Sequence, residues 1–260
     1  MKHITSSVDK STSSPGRRRG EQGAPTKLAI FDIDGTIFRS SLVIELNHAL
    51  VEAGVFPKSA RKEIEKEYLA WLNRRGTYEA YIDKVVKIYV THIAGKKFAL
   101  VNRVAQAVID QQKDRVYRFT RDLIKKLKQS GYFLVAISGS PSYIVKEYAQ
   151  AIGFNLFFGT ELTIKNGIFT GEVENLDSAF HKSKIIKELV RRHPSINLKQ
   201  SLAVGDTESD VTMLSLVGKP IAFNPNAALT KVAQKKAWQI VVERKDVIFD
   251  VKSFKVIGKP

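Results

Sequence analysis

The sequence contains no cysteine among its 260 residues, and this absence removes several kinds of chemistry. Disulfide bonds, catalytic thiolates and zinc sites built on cysteine are all excluded. Long apolar runs are missing as well, because no stretch approaches the roughly 18 consecutive apolar residues of a membrane span, and the N-terminal segment lacks the apolar centre of a secretory signal. We therefore expect a cytoplasmic protein without a membrane span.

Negative charge is scarce, because 42 lysines and arginines outweigh 26 aspartates and glutamates and give a formal net charge of +16. This excess favours anionic partners such as phosphate esters, nucleic acids and acidic lipid surfaces. The basic residues are spread through every segment, and only Arg17-Arg18-Arg19 forms a tight run. Charge alone does not choose among these partners, and a solvated basic surface explains it equally well.

Apolar residues make up 43% of the chain, which is enough for a core of ordinary size carrying a smaller insertion. Residues 1–26 are the exception, since they are rich in Ser, Thr, Gly, Pro and charge. We expect them to form a mobile tail that buries too little surface to fold.

Short apolar runs bounded by polar residues predict strands that are buried on both faces. They occur at residues 28–31, 132–137, 201–204, 220–223 and 238–242. Helical segments are expected at 120–129 and 141–152, and Asn166-Gly167 predicts a hairpin turn. Alternation of strands and helices implies right-handed crossovers and a parallel sheet.

The segment from 41 to 117 has a different pattern, with apolar residues three and four apart throughout. It predicts helices at 42–53, 58–73, 77–92 and 96–114. The predicted fold is thus α/β, with a Rossmann-like parallel sheet core formed by residues 27–40 and 118–252 and an inserted all-helical cap at 41–117.

Asp32 and Asp34 come directly after the first predicted strand, where ligands bind in open parallel sheets. One carboxylate there can attack phosphorus, and the second can protonate the departing alkoxide and then deprotonate water. Gly35 and Thr36 permit the sharp turn that aims these groups. An ordinary acidic turn that closes a strand is the alternative interpretation.

Two further positions could bind the phosphoryl group. Ser138 and Gly139 end the second strand before a helix, where a hydroxyl and backbone N–H groups form a phosphate cradle. Lys182, before another helix, could offset the repulsion between a carboxylate and a phosphate dianion, and Lys184 competes for this role. Either lysine could equally be an ordinary surface residue.

The last motif, Gly205-Asp206-Thr207-Glu208-Ser209-Asp210, follows the third strand of the sheet core. Carboxylate oxygens completed by water and phosphate are the ligands that Mg²⁺ prefers. Asp206 is therefore a candidate metal ligand, and Asp210 would orient the metal or Lys182. Helix capping by Thr207 and Asp210 is the structural alternative.

These four motifs occur in an order that resembles the haloacid dehalogenase superfamily of phosphohydrolases, over about residues 27 to 225. The helical insertion after the first motif is similar to the cap of the phosphoserine phosphatase-like branch. The resemblance implies that Asp32 is the nucleophile and Asp34 the acid/base. It also implies that Ser138 and Lys182 bind phosphate, and that Asp32, the Asp34 carbonyl and Asp206 bind Mg²⁺.

The chain differs from phosphoserine phosphatases at both charged positions that bind the ammonium and the carboxylate of their substrate. They carry a Glu nine residues after the nucleophile, where this chain has Ser41, and a cap Arg that aligns here with residues 83–85. Glu45 and Arg39 could replace these groups. Because a buried unpaired charge costs several kcal/mol, we expect a small phosphorylated metabolite other than phosphoserine, with a neutral, cationic or lipid-like leaving group.

Two alternatives remain open at this point. A phosphotransferase or phosphomutase would use the same aspartyl-phosphate and differ only in what attacks it. A nucleic-acid-binding role is the weaker alternative, because no RNA-binding motif, zinc finger or interleaving of aromatic and basic residues supports it. The predicted function is a magnesium-dependent phosphomonoester hydrolase.

Overall fold

The structure, a computed structural model, describes residues 26–253. The predicted mobile tail lies outside the described residues except for Thr26. Among the residues that are described, every helix is too short or too polar to cross a membrane.

Strands of the described chain form one sheet of eight members. They are β1 (Leu28–Phe31), β2 (Phe133–Pro141), β3 (Leu156–Lys165), β4 (Ile168–Asn175), β5 (Leu202–Gly205), β6 (Lys219–Phe223), β7 (Gln239–Arg244) and β8 (Val247–Asp250). Their spatial order is β4-β3-β2-β1-β5-β6-β7-β8. The six inner strands pair in parallel, whereas β4 and β8 are antiparallel to their neighbours. The predicted α/β fold with a mostly parallel sheet is confirmed.

Residues 41–117 contain four helices, and a further helix follows them before β2 begins. The four are α1 (Leu42–Glu52), α2 (Lys58–Leu72), α3 (Tyr78–Ile93) and α4 (Phe98–Gln112). The remaining helices are α5 (Arg118–Gln129), α6 (Ser142–Ala151), α7 (Asp177–Phe180), α8 (Lys182–Arg192), α9 (Val211–Leu214) and α10 (Ala227–Lys235). Two turns of 3-10 helix add Leu198–Gln200 and Glu208–Asp210.

The two faces of the sheet carry different helices. Ala29 and Phe31 of β1 belong to one apolar cluster, which also holds buried residues of α1 to α6. Leu28 and Ile30 belong to a second cluster, shared with α8, α9 and α10. Alternation of side chains along a strand explains this division, and both faces of β1 are therefore buried as its apolar run predicted.

The second strand is longer than its apolar run. It was predicted to end at residue 137, but β2 continues to Pro141, and α6 begins at Ser142. The cause is tertiary pairing, because β2 shifts register after Ile137 and Pro141 then pairs with Thr160 of β3. As a result Ser138 lies within a strand and not at the start of a helix.

The predicted hairpin is present and holds the helical insertion. Asn166 and Gly167 both have positive φ values, 51° and 74°, as a two-residue turn between β3 and β4 requires. The N–H of Phe98 donates to the Gly167 carbonyl at 2.8 Å, and the N–H of Gly95 donates to the Phe169 carbonyl at 2.8 Å. The connection between α3 and α4 is thus hydrogen-bonded directly to the sheet.

Candidate active site

Asp32 and Asp34 lie just beyond β1, at the carboxyl edge of the parallel strands. The Asp32 side chain is buried. The backbone N–H of Asp32 donates to the Val204 carbonyl of β5 at 3.0 Å, so the turn stays bound to the sheet. Gly35 has a φ of 79°, and a Cβ atom there would lie 2.2 Å from Oδ2 of Asp206. Only glycine allows the first motif to approach the fourth so closely.

Lys182 connects three of the predicted motifs. Its Nζ atom lies 2.6 Å from Oδ1 of Asp32 and 2.7 Å from Oδ1 of Asp210, and the residue is 2% exposed. Burial disfavours the charged ammonium, but the carboxylates of Asp210 and Asp32 outweigh it and raise the pKa of Lys182. Lys184, the competing candidate, has a side chain that is 64% exposed and pairs with Asp177 at 2.8 Å. The structure therefore places Lys182, and not Lys184, beside Asp32.

Asp210 uses both of its carboxylate oxygens. Oδ1 accepts from Lys182, while Oδ2 accepts the N–H groups of Asp206 at 2.9 Å and Thr207 at 3.1 Å. Helix capping and orientation of Lys182 were the alternatives for Asp210, and both contacts are present. Oδ2 caps the start of the following helix, and Oδ1 accepts from Lys182. Asp210 thereby positions Lys182 and the Asp206 backbone at the same time.

The carboxylate of Asp34 is surrounded by donors. The hydroxyl of Ser138 donates to Oδ2, the hydroxyl of Ser140 lies 3.1 Å from Oδ2, and the N–H of Leu42 donates to Oδ1 at 2.6 Å. Ser138 was expected to bind phosphate, and here its hydroxyl reaches Asp34. Gly139, between the two serines, is exposed, and its carbonyl accepts from the Thr160 hydroxyl at 2.7 Å.

Ser140 is a site residue that sequence reasoning missed. It was interpreted only as the residue before a helix. Because β2 extends through it, Ser140 follows Ser138 by two residues and lies on the same side of the strand. A second hydroxyl two residues after the predicted Ser138 was the available signal, but it needed the correct strand end.

A divalent cation fits the carboxylates at this edge. One oxygen each from Asp32, Asp206 and Asp210 lie within 4.8 Å of one another. Oδ2 of Asp32 is buried and has no hydrogen-bond partner among the described residues, so it is free to bind a cation or attack a substrate. Since Asp210 is engaged by Lys182 and two N–H groups, Asp32 and Asp206 are the better ligands, and hard oxygen donors suit Mg²⁺.

The pKa shifts of Asp32 and Asp206 also favour a bound cation. Burial raises the pKa of Asp32 to about 7, although Lys182 opposes this shift. Burial, together with the charges of Asp32 and Asp210, also raises the pKa of Asp206, which accepts only a modest 3.1 Å hydrogen bond from the buried Thr36 hydroxyl. Lys182 alone does not compensate the crowded carboxylates, and a bound cation would.

A cavity of about 600 Å³ opens beside one of these carboxylates, Asp206. Residues outside the insertion that line it are Gly35, Arg39, Ser40, Asp206 and Asn224, and Tyr117 lies at the end of the insertion. The helical insertion supplies most of the walls, namely Ile44, Glu45, His48, Arg61, Ile64, Glu65, Tyr68, Trp71, Tyr78 and Tyr81, with Arg115 after α4. The cavity is large for a phosphoryl group alone, so it has room for a sizeable leaving group.

Glu45 and Arg39, which could replace the missing substrate-binding charges, both line this cavity. Glu45 is already engaged, since it accepts from Ser40 at 2.6 Å, from Arg115 at 3.0 Å and from Gln112 at 3.1 Å. The guanidinium of Arg39 lies over the Tyr117 ring, 5.5 Å from its centre. Ser41, where phosphoserine phosphatases carry Glu, is buried.

Comparison with known proteins identifies relatives of this chain. The family model described as haloacid dehalogenase-like hydrolase matches residues 29–215. A phosphoserine phosphatase of Archaeoglobus fulgidus is 28% identical over 208 residues, which cover 80% of this chain and 55% of that protein. The chain therefore spans little more than half of that relative. A phosphoserine phosphatase of Methanocaldococcus jannaschii is 26% identical over 85% of this chain and 94% of its own length.

A solved structure of the phospho-aspartyl intermediate analogue of a phosphoserine phosphatase has the same fold. It superposes with a TM-score of 0.58 at 24% sequence identity, covering 85% of this chain and 95% of that chain. At this identity the likeness shows the fold alone. Together with the family match, these relatives confirm the resemblance predicted from the motifs and the assignment to phosphatase-type enzymes. The chain belongs to the haloacid dehalogenase-like hydrolase family, in its phosphoserine phosphatase-like branch.

Proposed function

We propose that this protein is a magnesium-dependent phosphomonoester hydrolase that acts on a small phosphorylated metabolite through an aspartyl-phosphate intermediate. One observation carries the proposal. Asp32 has one carboxylate oxygen fixed by the buried ammonium of Lys182 at 2.6 Å, while its other oxygen is buried and has no hydrogen-bond partner among the described residues. A carboxylate held in this way is oriented and free to attack.

In the first step, the free oxygen of Asp32 forms a bond to phosphorus as the bond from phosphorus to the ester oxygen breaks. Asp34 gives its proton to the departing alkoxide. In the second step, Asp34 takes a proton from water, the water oxygen bonds to phosphorus, and the Asp32 carboxylate is released. The hydroxyls of Ser138 and Ser140 hold Asp34 in place for both transfers.

The remaining site residues would bind the phosphoryl group and support the groups that do so. Lys182, Ser138 and Gly139 would hold its oxygens, while Thr36 and Asp210 support Asp206 and Lys182 by the hydrogen bonds described. Asp32, the Asp34 carbonyl and Asp206 would bind Mg²⁺, which when bound supplies positive charge against the repulsion between Asp32 and the phosphate dianion. The protein groups orient the substrate for in-line attack.

The chain organisation fits this chemistry. We propose that residues 27–40 and 118–252 form the catalytic core and that residues 41–117 form a cap that covers it. The cap helices supply most of the cavity walls above Asp206, so they would contact the leaving group and not the phosphoryl group. Glu45 is already paired with Arg115, and Arg39 lies over the Tyr117 ring, which supports a substrate other than phosphoserine.

The test is release of inorganic phosphate from 4-nitrophenyl phosphate by the purified chain, with and without Mg²⁺. Turnover should require Mg²⁺ and stop in excess chelator, because crowded carboxylates repel a dianion without a cation. Full activity in chelator would contradict the metal role. Adding an alcohol acceptor separates the phosphotransferase alternative, since a hydrolase releases all of the phosphate as inorganic ion.

A further inference from the structure

Four aromatic side chains of the helical insertion form one continuous surface, which we call the aromatic wall. Its members are Tyr68, Trp71, Tyr78 and Tyr81. The Trp71 and Tyr81 rings are nearly parallel, at 7° and 5.9 Å between centres, and Tyr78 packs edge-on against Trp71 at 5.3 Å. Tyr81 is buried and anchors the group, whereas Tyr78 is 40% exposed and faces the cavity.

The aromatic wall shares its cavity with one of the site carboxylates, Asp206. The same cavity that Trp71 and Tyr78 line is also lined by Gly35 and Asp206. Burial and the charges of Asp34 and Asp206 raise the pKa of Tyr78, which lines the same cavity as Asp206. A phosphate ester bound to Asp32 would therefore extend its leaving group along this wall.

Glu45, Arg61 and Arg115 of the cavity each have a partner of opposite charge. Glu45 pairs with Arg115 at 3.0 Å, and Arg61 pairs with Glu52 at 2.8 Å. Arg39 lies over the Tyr117 ring. An ammonium or a carboxylate on the leaving group would have to compete with these pairs.

Two further polar residues of the cavity do not alter this balance. Burial lowers the pKa of His48, so its imidazole is neutral at pH 7. Glu65 is an exposed residue of α2, where water screens its charge. A cationic leaving group would also meet three arginines, Arg39, Arg61 and Arg115, among the lining residues.

We propose that the leaving group of the natural substrate is an uncharged alcohol that carries a flat ring, and that this ring packs on Trp71 and Tyr78. This inference rests on the proposed phosphohydrolase function and deepens it. Rings gain from contact with aromatic side chains beyond the area that they bury, whereas a flexible chain does not. The volume of about 600 Å³ accommodates such a group together with the phosphoryl group.

The experiment compares three alkyl phosphates: 2-phenylethyl phosphate, n-butyl phosphate and phosphocholine. The first two have leaving alkoxides of similar basicity, whereas the ammonium of choline makes its alkoxide a better leaving group, which works against the expected order. Aryl phosphates are avoided because phenols are better leaving groups in any enzyme. We expect kcat/KM to be at least about tenfold higher for 2-phenylethyl phosphate than for the other two. Equal values, or the highest value for phosphocholine, would overturn the proposal.

Variants locate the preference in the aromatic wall. Trp71→Leu and Tyr78→Leu should lower the ratio of kcat/KM between phenylethyl and butyl phosphate severalfold, mainly through the KM of the ring substrate. The matched control is Trp238→Leu, because this residue precedes β7 and lies outside the lining of the cavity. A ratio that changes in the control as much as in Trp71→Leu would contradict the assignment.

Failure of this inference can be told apart from failure of the proposed function. If 4-nitrophenyl phosphate is not hydrolysed in Mg²⁺, the proposed function fails, and binding of the three esters is then measured without turnover. If it is hydrolysed and none of the three esters is, the ring-site inference alone fails. Trp71 is the only tryptophan left in Trp238→Leu, since the chain has two. Selective change of its fluorescence by 2-phenylethyl phosphate supports the aromatic wall as a ring site, and an equal change with n-butyl phosphate overturns it.

Discussion

The carboxyl edge of the sheet and the aromatic wall face each other across one cavity, but they are built in different ways. At the sheet edge, Lys182, Asp210 and Asp34 are each fixed by several hydrogen bonds. The aromatic wall is held by ring packing, and Tyr78 remains 40% exposed. The edge is suited to one geometry, whereas the wall tolerates changes in shape.

This difference separates two requirements of an enzyme. Charge must be placed to within a fraction of an ångström to lower a reaction barrier, while recognition of an apolar group needs only complementary surface. Substitutions at the edge should therefore abolish turnover of every substrate, and substitutions in the wall should change the order of preference. The predictions below test this division, beginning with the largest effect.

Replacing the proposed nucleophile should have the largest effect. Asp32→Asn should lower kcat by roughly 10³-fold or more for all substrates, because an amide oxygen does not form the covalent intermediate. Stability should not fall, since the change removes one of three crowded carboxylates. The measurement is steady-state turnover with a thermal melt on the same sample, and Asp122→Asn on the exposed face of α5 is the control. A folded Asp32→Asn protein with near-normal turnover would eliminate covalent catalysis.

Lys182 and Lys184 offer a matched comparison, with the second largest effect expected at Lys182. Lys182→Ala leaves Asp32 and Asp210 buried without their cation, which should cost about 3 kcal/mol of unfolding free energy and most of the activity. Lys184→Ala removes only an exposed partner of Asp177 and should change either quantity little. Urea denaturation and turnover are measured for both variants. Equal losses of stability and activity would show that Lys182 is no more important than Lys184.

Ser140 gives an intermediate effect. Ser140→Ala removes one donor to Asp34 but leaves Ser138 and the Leu42 N–H in place, so kcat should fall by roughly tenfold while KM changes little. Ser142→Ala, two residues further along, removes a hydrogen bond to Glu161 instead and should retain kcat. If the two variants behave alike, Ser140 has only a structural role.

The smallest effect expected is a preference among substrates. In a panel of phosphate esters, O-phosphoserine should not have the highest kcat/KM, because Ser41 is not a carboxylate and Glu45 is already paired with Arg115. The first rank for O-phosphoserine would mean that the pairs in the cavity rearrange to bind a zwitterion.

The grouping of the polar residues at the carboxyl edge was predictable because these residues follow apolar strands. Asp32, Asp206 and Ser138 each come after such a run, and parallel strands bring their carboxyl ends together whatever the details of packing. The same reasoning missed Ser140, because β2 continues past its apolar run only through pairing with Thr160. It missed β8 as well, since Val247–Asp250 is exposed and the turn at Lys245 contains neither Gly nor Asn.

The aromatic wall was beyond sequence reasoning for a different reason. Helical spacing predicted α2 and α3 to within two residues, yet Tyr68 and Trp71 meet Tyr78 and Tyr81 only through the way the two helices cross. Periodicity identifies the side of a helix that is apolar, but it does not specify its partner. The roles of the individual site residues remain predictions that the variants above would test.

The hydrogen bonds between the hairpin and the connection of α3 to α4 have a mechanical consequence. They fix one end of the helical insertion to the sheet, through Gly167 and Phe169. Fewer residues hold α2, because only Ala60 and Ile64 of its 15 residues are buried. Tyr68 and Trp71 lie on this helix. Thermal motion should therefore move α2 more than the connection that is bound to the hairpin, so substrate would enter and alcohol would leave past α2.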